Sequence, residues 1–130
     1  VNIQQRMATE FRIMFNQLIS LHPTLIGHAD RNLCIALIKE EVLELQDAMF
    51  TNNLCGIAKE LADVLYVVNA AATAYGINMD PVYAEVHRSN MSKVGGHKNA
   101  DGKWVKPDTY SRADVQPILD VQGQERIDIL

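Results

Sequence analysis

An all-α fold, an antiparallel helical bundle followed by a short C-terminal arm, is predicted by three features of this 130-residue chain. Apolar residues recur at helical spacing through most of the first 94 positions. Turn and capping residues fall between the periodic stretches. The segment with strand-like chemistry, His97–Arg112, comes late and is short.

The elements follow in order. Ile3, Met7, Phe11, Met14, Leu18 and Leu21 keep helical period, which predicts a first helix of about twenty residues stopping near Pro23. Thr24–Asp30 reads as a connection, with Asp30 capping a second helix that runs to about Phe50. Thr51-Asn52-Asn53 supplies turn chemistry before a third helix from Leu54, which Gly76 ends as a left-handed C-cap. Two long antiparallel helices therefore face each other. Asp80-Pro81 is a cap and first-turn pair for a fourth helix through about Val94. After Gly95-Gly96, Asp101-Gly102 marks a short hairpin or extended arm, and Ser111 caps a last short turn through Ile118. Residues 122–130 carry little signal, being either loose or packed on a partner subunit.

Two acidic patterns interrupt this scheme: Glu40-Glu41-x-x-Glu44 and Glu60-x-x-Asp63. At about 100° per residue, Glu41 and Glu44 share an arc with Leu33, Cys34, Leu37, Leu45 and Ala48, while Asn32, Lys39 and Gln46 mark the polar side. On the third helix Glu60 falls between Val64 and Val67, with Leu61, Leu65 and Val68 completing the stripe and Asp63 at its edge. Tyr66, Asn69 and Thr73 are expected to face the other way. Acids three or four apart often mark only a solvated helix face, but such a face should be polar across its width. These acids have aliphatic neighbours on both sides. Carboxylates in such surroundings are protonated, paired or bound to a cation, and several on two facing helices favour the cation.

Composition narrows the remaining classes. With 48% hydrophobic and 22% charged residues the chain fits one soluble domain. A net charge of −4 argues against a nucleic-acid polymer as partner. No apolar run approaches the ~18 residues of a membrane span, because Asn69 breaks the best candidate, and no signal pattern opens the sequence, so a cytoplasmic location is expected. Cys34 and Cys55 would lie roughly 24 Å apart along a helix, too far for a disulfide.

An all-carboxylate site without histidine or thiol suits Mg²⁺, with Mn²⁺ as a substitute, and Mg²⁺ is usually shared with a phosphate substrate. A spare glutamate would then accept a proton from the attacking water. Asn90 and Lys93, three apart near the end of the fourth helix, share a face; alone they read rather as an ordinary exposed helix end. Lys93 and the arm lysines Lys98, Lys103 and Lys106 are candidates to contact phosphates.

The ordered pair Glu40-Glu41-x-x-Glu44 and Glu60-x-x-Asp63, followed by Val86-His87-Arg88-Ser89-Asn90-Met91-Ser92-Lys93 and an arm with Asp101-Gly102-Lys103, Lys106 and Tyr110, resembles the all-α nucleoside triphosphate pyrophosphohydrolases of the MazG type. The downstream part looks like the phage-borne and phosphoribosyl-ATP pyrophosphohydrolase-like branch. The resemblance covers about Ile35 to Leu119. It implies a catalytic bundle over residues 1–94, an arm over residues 95–130 packing on the bundle or a partner subunit, and assembly as a homodimer or homotetramer with the site completed at a subunit boundary.

It also implies cleavage of a (d)NTP between its α and β phosphates, giving a monophosphate and pyrophosphate. Glu41, Glu44, Glu60 and Asp63 match the Mg²⁺ ligands, Glu41 or Glu44 the water-activating base, and Asn90 and Lys93 positions near the substrate phosphates. If the chain is phage-encoded, the compartment is the host cytoplasm. Phe11, Phe15, Asn16 and Trp104 are candidates for contacting the base, and similarity of the arm to the MazZ type suggests dGTP or GTP. The alternatives are phosphoribosyl-ATP hydrolysis and a non-catalytic helical interaction module. A di-iron centre is disfavoured because no Glu-x-x-His pair is present.

Overall fold

The computed structural model describes residues 1–129. The order is α1 (Ile3–Met14), α2 (His28–Phe50), α3 (Leu54–Ala74), α4 (Met79–Met91), the two-residue strands β1 (His97–Lys98) and β2 (Trp104–Val105), and α5 (Gln116–Gln124). The predicted all-α class is what the structure shows. β1 and β2 form an antiparallel hairpin pairing His97 with Val105 and Lys98 with Trp104, around the expected Asp101-Gly102 turn. Of the tail, Leu130 lies outside the described residues.

Helix α1 is shorter than its periodicity predicts. Asn16 takes a left-handed conformation (φ 54°), its N–H reaching Ile13 O at 3.2 Å and the Gln17 N–H reaching Arg12 O at 2.8 Å. That is a Schellman stop built on asparagine instead of glycine. Leu18 and Leu21 continue the apolar spacing without continuing the helix. Gly76 (φ 70°) closes α3 in the same way, through Gly76 N–H to Thr73 O and Ile77 N–H to Ala72 O.

Several boundaries differ by a few residues. α2 begins at His28, earlier than a cap at Asp30 would place it. The α4 cap is Asn78, whose side chain accepts from Asp80 N–H; the Asp80 carboxylate instead accepts from Asn2 Nδ2 at 2.9 Å. α4 ends at Met91, short of Val94, and α5 runs past Ile118 to Gln124.

The main packing joins α2 to α3 and α1 to α3. Its centre is small and polar. Gln5, Ala8, Thr9, Thr73 and Ala74 have no exposed surface. Thr9 Oγ1 and Thr73 Oγ1 are 2.7 Å apart, and Gln5 donates to Ile77 O at 2.7 Å while accepting from Met79 N–H at 3.2 Å. Here the helical wheel misassigned the faces of α3. Asn69 and Thr73, expected to face away from the buried stripe, are buried, and Tyr66 reaches Met7 O on α1 at 3.4 Å. Leu61, Leu65 and Val68 are 40–52% exposed. The polar groups pack because their hydrogen bonds are met, by one another for Thr9, Thr73 and Gln5 and by the backbone for Gln5 and Asn69, which offsets the cost of burying them.

Candidate active site

α2 and α3 place the two acidic patterns face to face. One carboxylate oxygen from each of Glu41, Glu44, Glu60 and Asp63 lies within 4.8 Å of the others. Glu41, Glu60 and Asp63 are half-buried, whereas Glu44 is exposed. Glu40, the first acid of the pattern, is exposed and outside this group. Glu41 Oε2 and Glu60 Oε2 are fully covered and have no hydrogen-bond partner. Two orphaned, buried carboxylate oxygens amid four converging acids are the donor set a hard divalent cation requires, so the residues fit the Mg²⁺ expected from the sequence.

The electrostatics agree with that geometry. Burial first, then the neighbouring charges of Glu44 and Asp63, push the Glu41 carboxyl up from 4.5 to about 7. On the outer side, Lys59 Nζ lies 2.7 Å from Asp63 Oδ2 and 3.3 Å from Glu60 Oε1. Those two carboxylates raise the lysine's proton affinity. Lys59 did not enter the sequence reading, although its i,i+4 spacing to Asp63 was visible there.

Beside the acids is a cavity of about 350 Å³ between α1, α2 and α3. Glu41 and Asp63 line it together with Phe11, Arg12, Gln17 and Tyr66. Phe11 stacks on Phe15 (ring centroids 4.4 Å) and meets Tyr66 edge-on (5.9 Å, 89°). Of the base-contact candidates, Phe11 is on the cavity wall. Asn16 is exposed and is not among the lining residues; its left-handed turn brings the chain round so that Gln17 is. Trp104 belongs to the arm, where its Nε1 donates to Lys93 O at 2.8 Å. Arg12 and Gln17 belong to no motif, and no sequence signal singled them out.

Asn90, Lys93 and Lys106 gather elsewhere. Lys93 Nζ donates to Asn90 Oδ1 at 3.0 Å, and Lys106 Nζ sits 4.4 Å above the Tyr110 ring. A hydrogen bond from Ser89, assisted by the charges of Lys106 and Lys93, holds the Tyr110 hydroxyl below its usual range. α4 is bonded at its N-terminal end to Gln5 and Asn2, while its C-terminal part bonds to the arm through Arg88 to Arg112 O and Ser111 N–H to Ser92 Oγ. Among the described residues no hydrogen bond or ion pair joins this basic cluster to the acids.

Residues 8–90, more than half of the chain, match the family model described as phosphoribosyl-ATP pyrophosphohydrolase. The chain belongs to that family. The phosphoribosyl-ATP pyrophosphohydrolase match spans α2 and α3 with all four converging acids, and ends at Asn90. A second similarity is to the uncharacterized protein L479 of Acanthamoeba polyphaga mimivirus, 50% identical over 48 residues, which are 37% of this chain and 19% of that protein. The matched stretch thus spans about one fifth of that relative's length. Neither match assigns a substrate to this member of the pyrophosphohydrolase family. No helix among the described residues is long and apolar enough to cross a membrane.

Proposed function

We propose that this chain hydrolyses a (deoxy)nucleoside triphosphate between its α and β phosphates in a Mg²⁺-dependent reaction, releasing the monophosphate and pyrophosphate. The observation that carries this reading is the convergence of four carboxylates within 4.8 Å, two with orphaned buried oxygens, at the edge of a nucleotide-sized cavity. Membership of a pyrophosphohydrolase family supports it.

Glu41, Glu44, Glu60 and Asp63 would hold the cation, which when bound neutralises phosphate charge and makes the α-phosphorus easier to attack. The chain's own groups do the rest. Water attacks the α-phosphorus, the bond from that phosphorus to the α,β-bridging oxygen breaks, and pyrophosphate leaves with the electron pair. A carboxylate of the cluster takes the water's proton. Glu41 and Glu44 are the candidates, Glu41 being the more buried of the two and on the cavity wall. The walls contributed by Phe11, Leu37 and Val67 keep bulk water from the rest of the nucleotide.

In the same proposal the working form is a homodimer or homotetramer, with Asn90, Lys93 and Lys106 of a second copy meeting the phosphates. Two facts support it. Leu61, Leu65 and Val68 form an exposed apolar stripe on α3, and Leu33, Ile35, Val42 and Leu43 are exposed on α2. The chain also exposes 9008 Å², against about 6,900 Å² for a compact monomer of its 14.5 kDa mass.

The test is pyrophosphate release with Mg²⁺ or Mn²⁺ across the eight common NTPs and dNTPs and phosphoribosyl-ATP, with Glu60→Gln as control. Metal-dependent release, reduced at least about a hundredfold in the variant, is expected. Phosphoribosyl-ATP is the second substrate to consider because the family model carries that description. Release from it alone would replace the proposed substrate, and silence with every nucleotide would leave a helical interaction module.

A further inference from the structure

Arg12 has no task in the reaction above. It lies on α1 one turn before the Asn16 stop, is only 5% exposed, and lines the cavity shared with Glu41 and Asp63. Its Nε donates to Leu18 O at 2.7 Å, which fixes the guanidinium. Among the described residues, none of the carboxylates forms an ion pair with it, and the four N–H groups on its two terminal nitrogens have no protein acceptor. The fully covered partnerless side-chain atoms among the described residues are Glu41 Oε2 and Glu60 Oε2, so the terminal nitrogens of Arg12 open onto accessible space. The space it borders is the cavity.

The walls indicate what enters. Beside Arg12 stand Phe11, Leu37, Val67 and Ala70, which suit a flat heteroaromatic ring and not a hydrated phosphate. Gln17 adds one amide that can accept as well as donate. A fixed guanidinium and an amide lining the same cavity together complement a carbonyl beside a ring N–H, the lactam edge of guanine, hypoxanthine, uracil and thymine. Adenine and cytosine present an amino donor and a bare ring nitrogen at that edge, which sets donor against donor.

We propose that Arg12, assisted by Gln17, is the specificity-determining residue of this site and selects nucleotides with a keto base over those with an amino base. The inference rests on the nucleotide-hydrolysis reading and names the substrate class within it. Arg12 touches the base and takes no part in the bond that breaks.

The experiment compares kcat/KM for dGTP, dITP and dTTP with that for dATP, dCTP and the triphosphate of 2-aminopurine deoxyriboside, in the unaltered protein, Arg12→Gln and Arg12→Lys. 2-Aminopurine differs from guanine by lacking the 6-oxo group and the N1 proton. The unaltered protein is expected to favour the keto bases by about tenfold or more. Arg12→Gln should lose that preference, with kcat/KM for the keto bases falling at least about fivefold further than kcat/KM for the amino bases. If Arg12→Gln does not fold, Arg12→Lys keeps the stem and charge without the fork and should lower the preference in the same direction.

An equal loss on every nucleotide, a preference for adenine or phosphoribosyl-ATP, or a preference untouched by substitution would overturn the assignment. Thermal shifts with GMP, IMP and AMP provide a readout independent of turnover. Arg12-dependent stabilisation by GMP and IMP without hydrolysis of any triphosphate would sink the reaction and uphold the base reading. Hydrolysis indifferent to the base, with equal shifts from GMP and AMP, would do the reverse.

Discussion

Lys59 Nζ lies 2.7 Å from Asp63 Oδ2 and 3.3 Å from Glu60 Oε1, so a side-chain ammonium shares the carboxylates that a divalent cation would use. The lysine is 65% exposed and can swing away. Its charge still opposes a metal ion's arrival, and screening by solvent keeps that opposition small. Lys59→Met should therefore bind Mg²⁺ about two- to fivefold more tightly by isothermal titration calorimetry. Unchanged or weaker binding would show that Lys59 does not compete for these oxygens.

The raised Glu41 carboxyl makes the metal-free protein sensitive to pH. In the unfolded chain Glu41 ionises near 4.5, whereas in the folded chain it keeps its proton to about 7. Between those values the folded state binds more protons than the unfolded state, so stability falls as pH rises through that window and levels off above it. Thermal unfolding with EDTA should show a declining Tm from pH 5 to pH 7. Saturating Mg²⁺ should flatten the decline, because the cation favours the ionised carboxylate that burial and the neighbouring acids resist. A metal-free Tm that climbs over this range would contradict the assignment.

Lys93 and Asn90 form a hydrogen-bonded pair whose removal takes nothing from the α1–α3 core. Lys93→Ala is expected to lower kcat/KM about ten- to a hundredfold with an unchanged Tm, the loss typical of a charge-assisted contact to phosphate. Wild-type kinetics in this variant would remove Lys93 from the site.

Gly76 combines a positive φ of 70° with close approach to the backbone of His22, and a Cβ there would overlap the His22 carbonyl. The same junction is held by Ser20 N–H to Thr73 O at 3.1 Å and Thr24 N–H to Tyr75 O at 2.9 Å. Gly76→Ala adds left-handed strain to a backbone clash and should cost more than about 2 kcal/mol. Denaturant unfolding checks this, and a change below about 0.5 kcal/mol would mean that the junction gives way freely.

The acids were legible in the sequence because a carboxylate among aliphatic neighbours is a local anomaly, and Thr51-Asn52-Asn53, Gly76 and Asp101-Gly102 because turn chemistry is local too. The end of α1 was not. Leu18 and Leu21 keep helical period after Asn16 has already turned the chain, and asparagine in the left-handed region carries a weaker signal than glycine. The faces of α3 were misread for a different reason. A wheel ranks faces by hydrophobicity, whereas Gln5, Thr9 and Thr73 pack because each finds a partner across the α1–α3 junction, and Asn69 because it donates to Leu65 O within α3. Gln17 reaches the cavity only through that unpredicted turn, which also brings Leu18 O to the Arg12 guanidinium.

The small polar centre between α1 and α3 has a thermodynamic consequence. Threonine, glutamine and alanine bury little hydrocarbon, while Leu61, Leu65 and Val68 remain open to water in the single chain. In the proposed oligomer a second copy covers that stripe and releases further hydrophobic free energy, so Tm is expected to rise with protein concentration and fall on dilution. For such a chain, how much of it is present in the cell helps decide how much of it is folded.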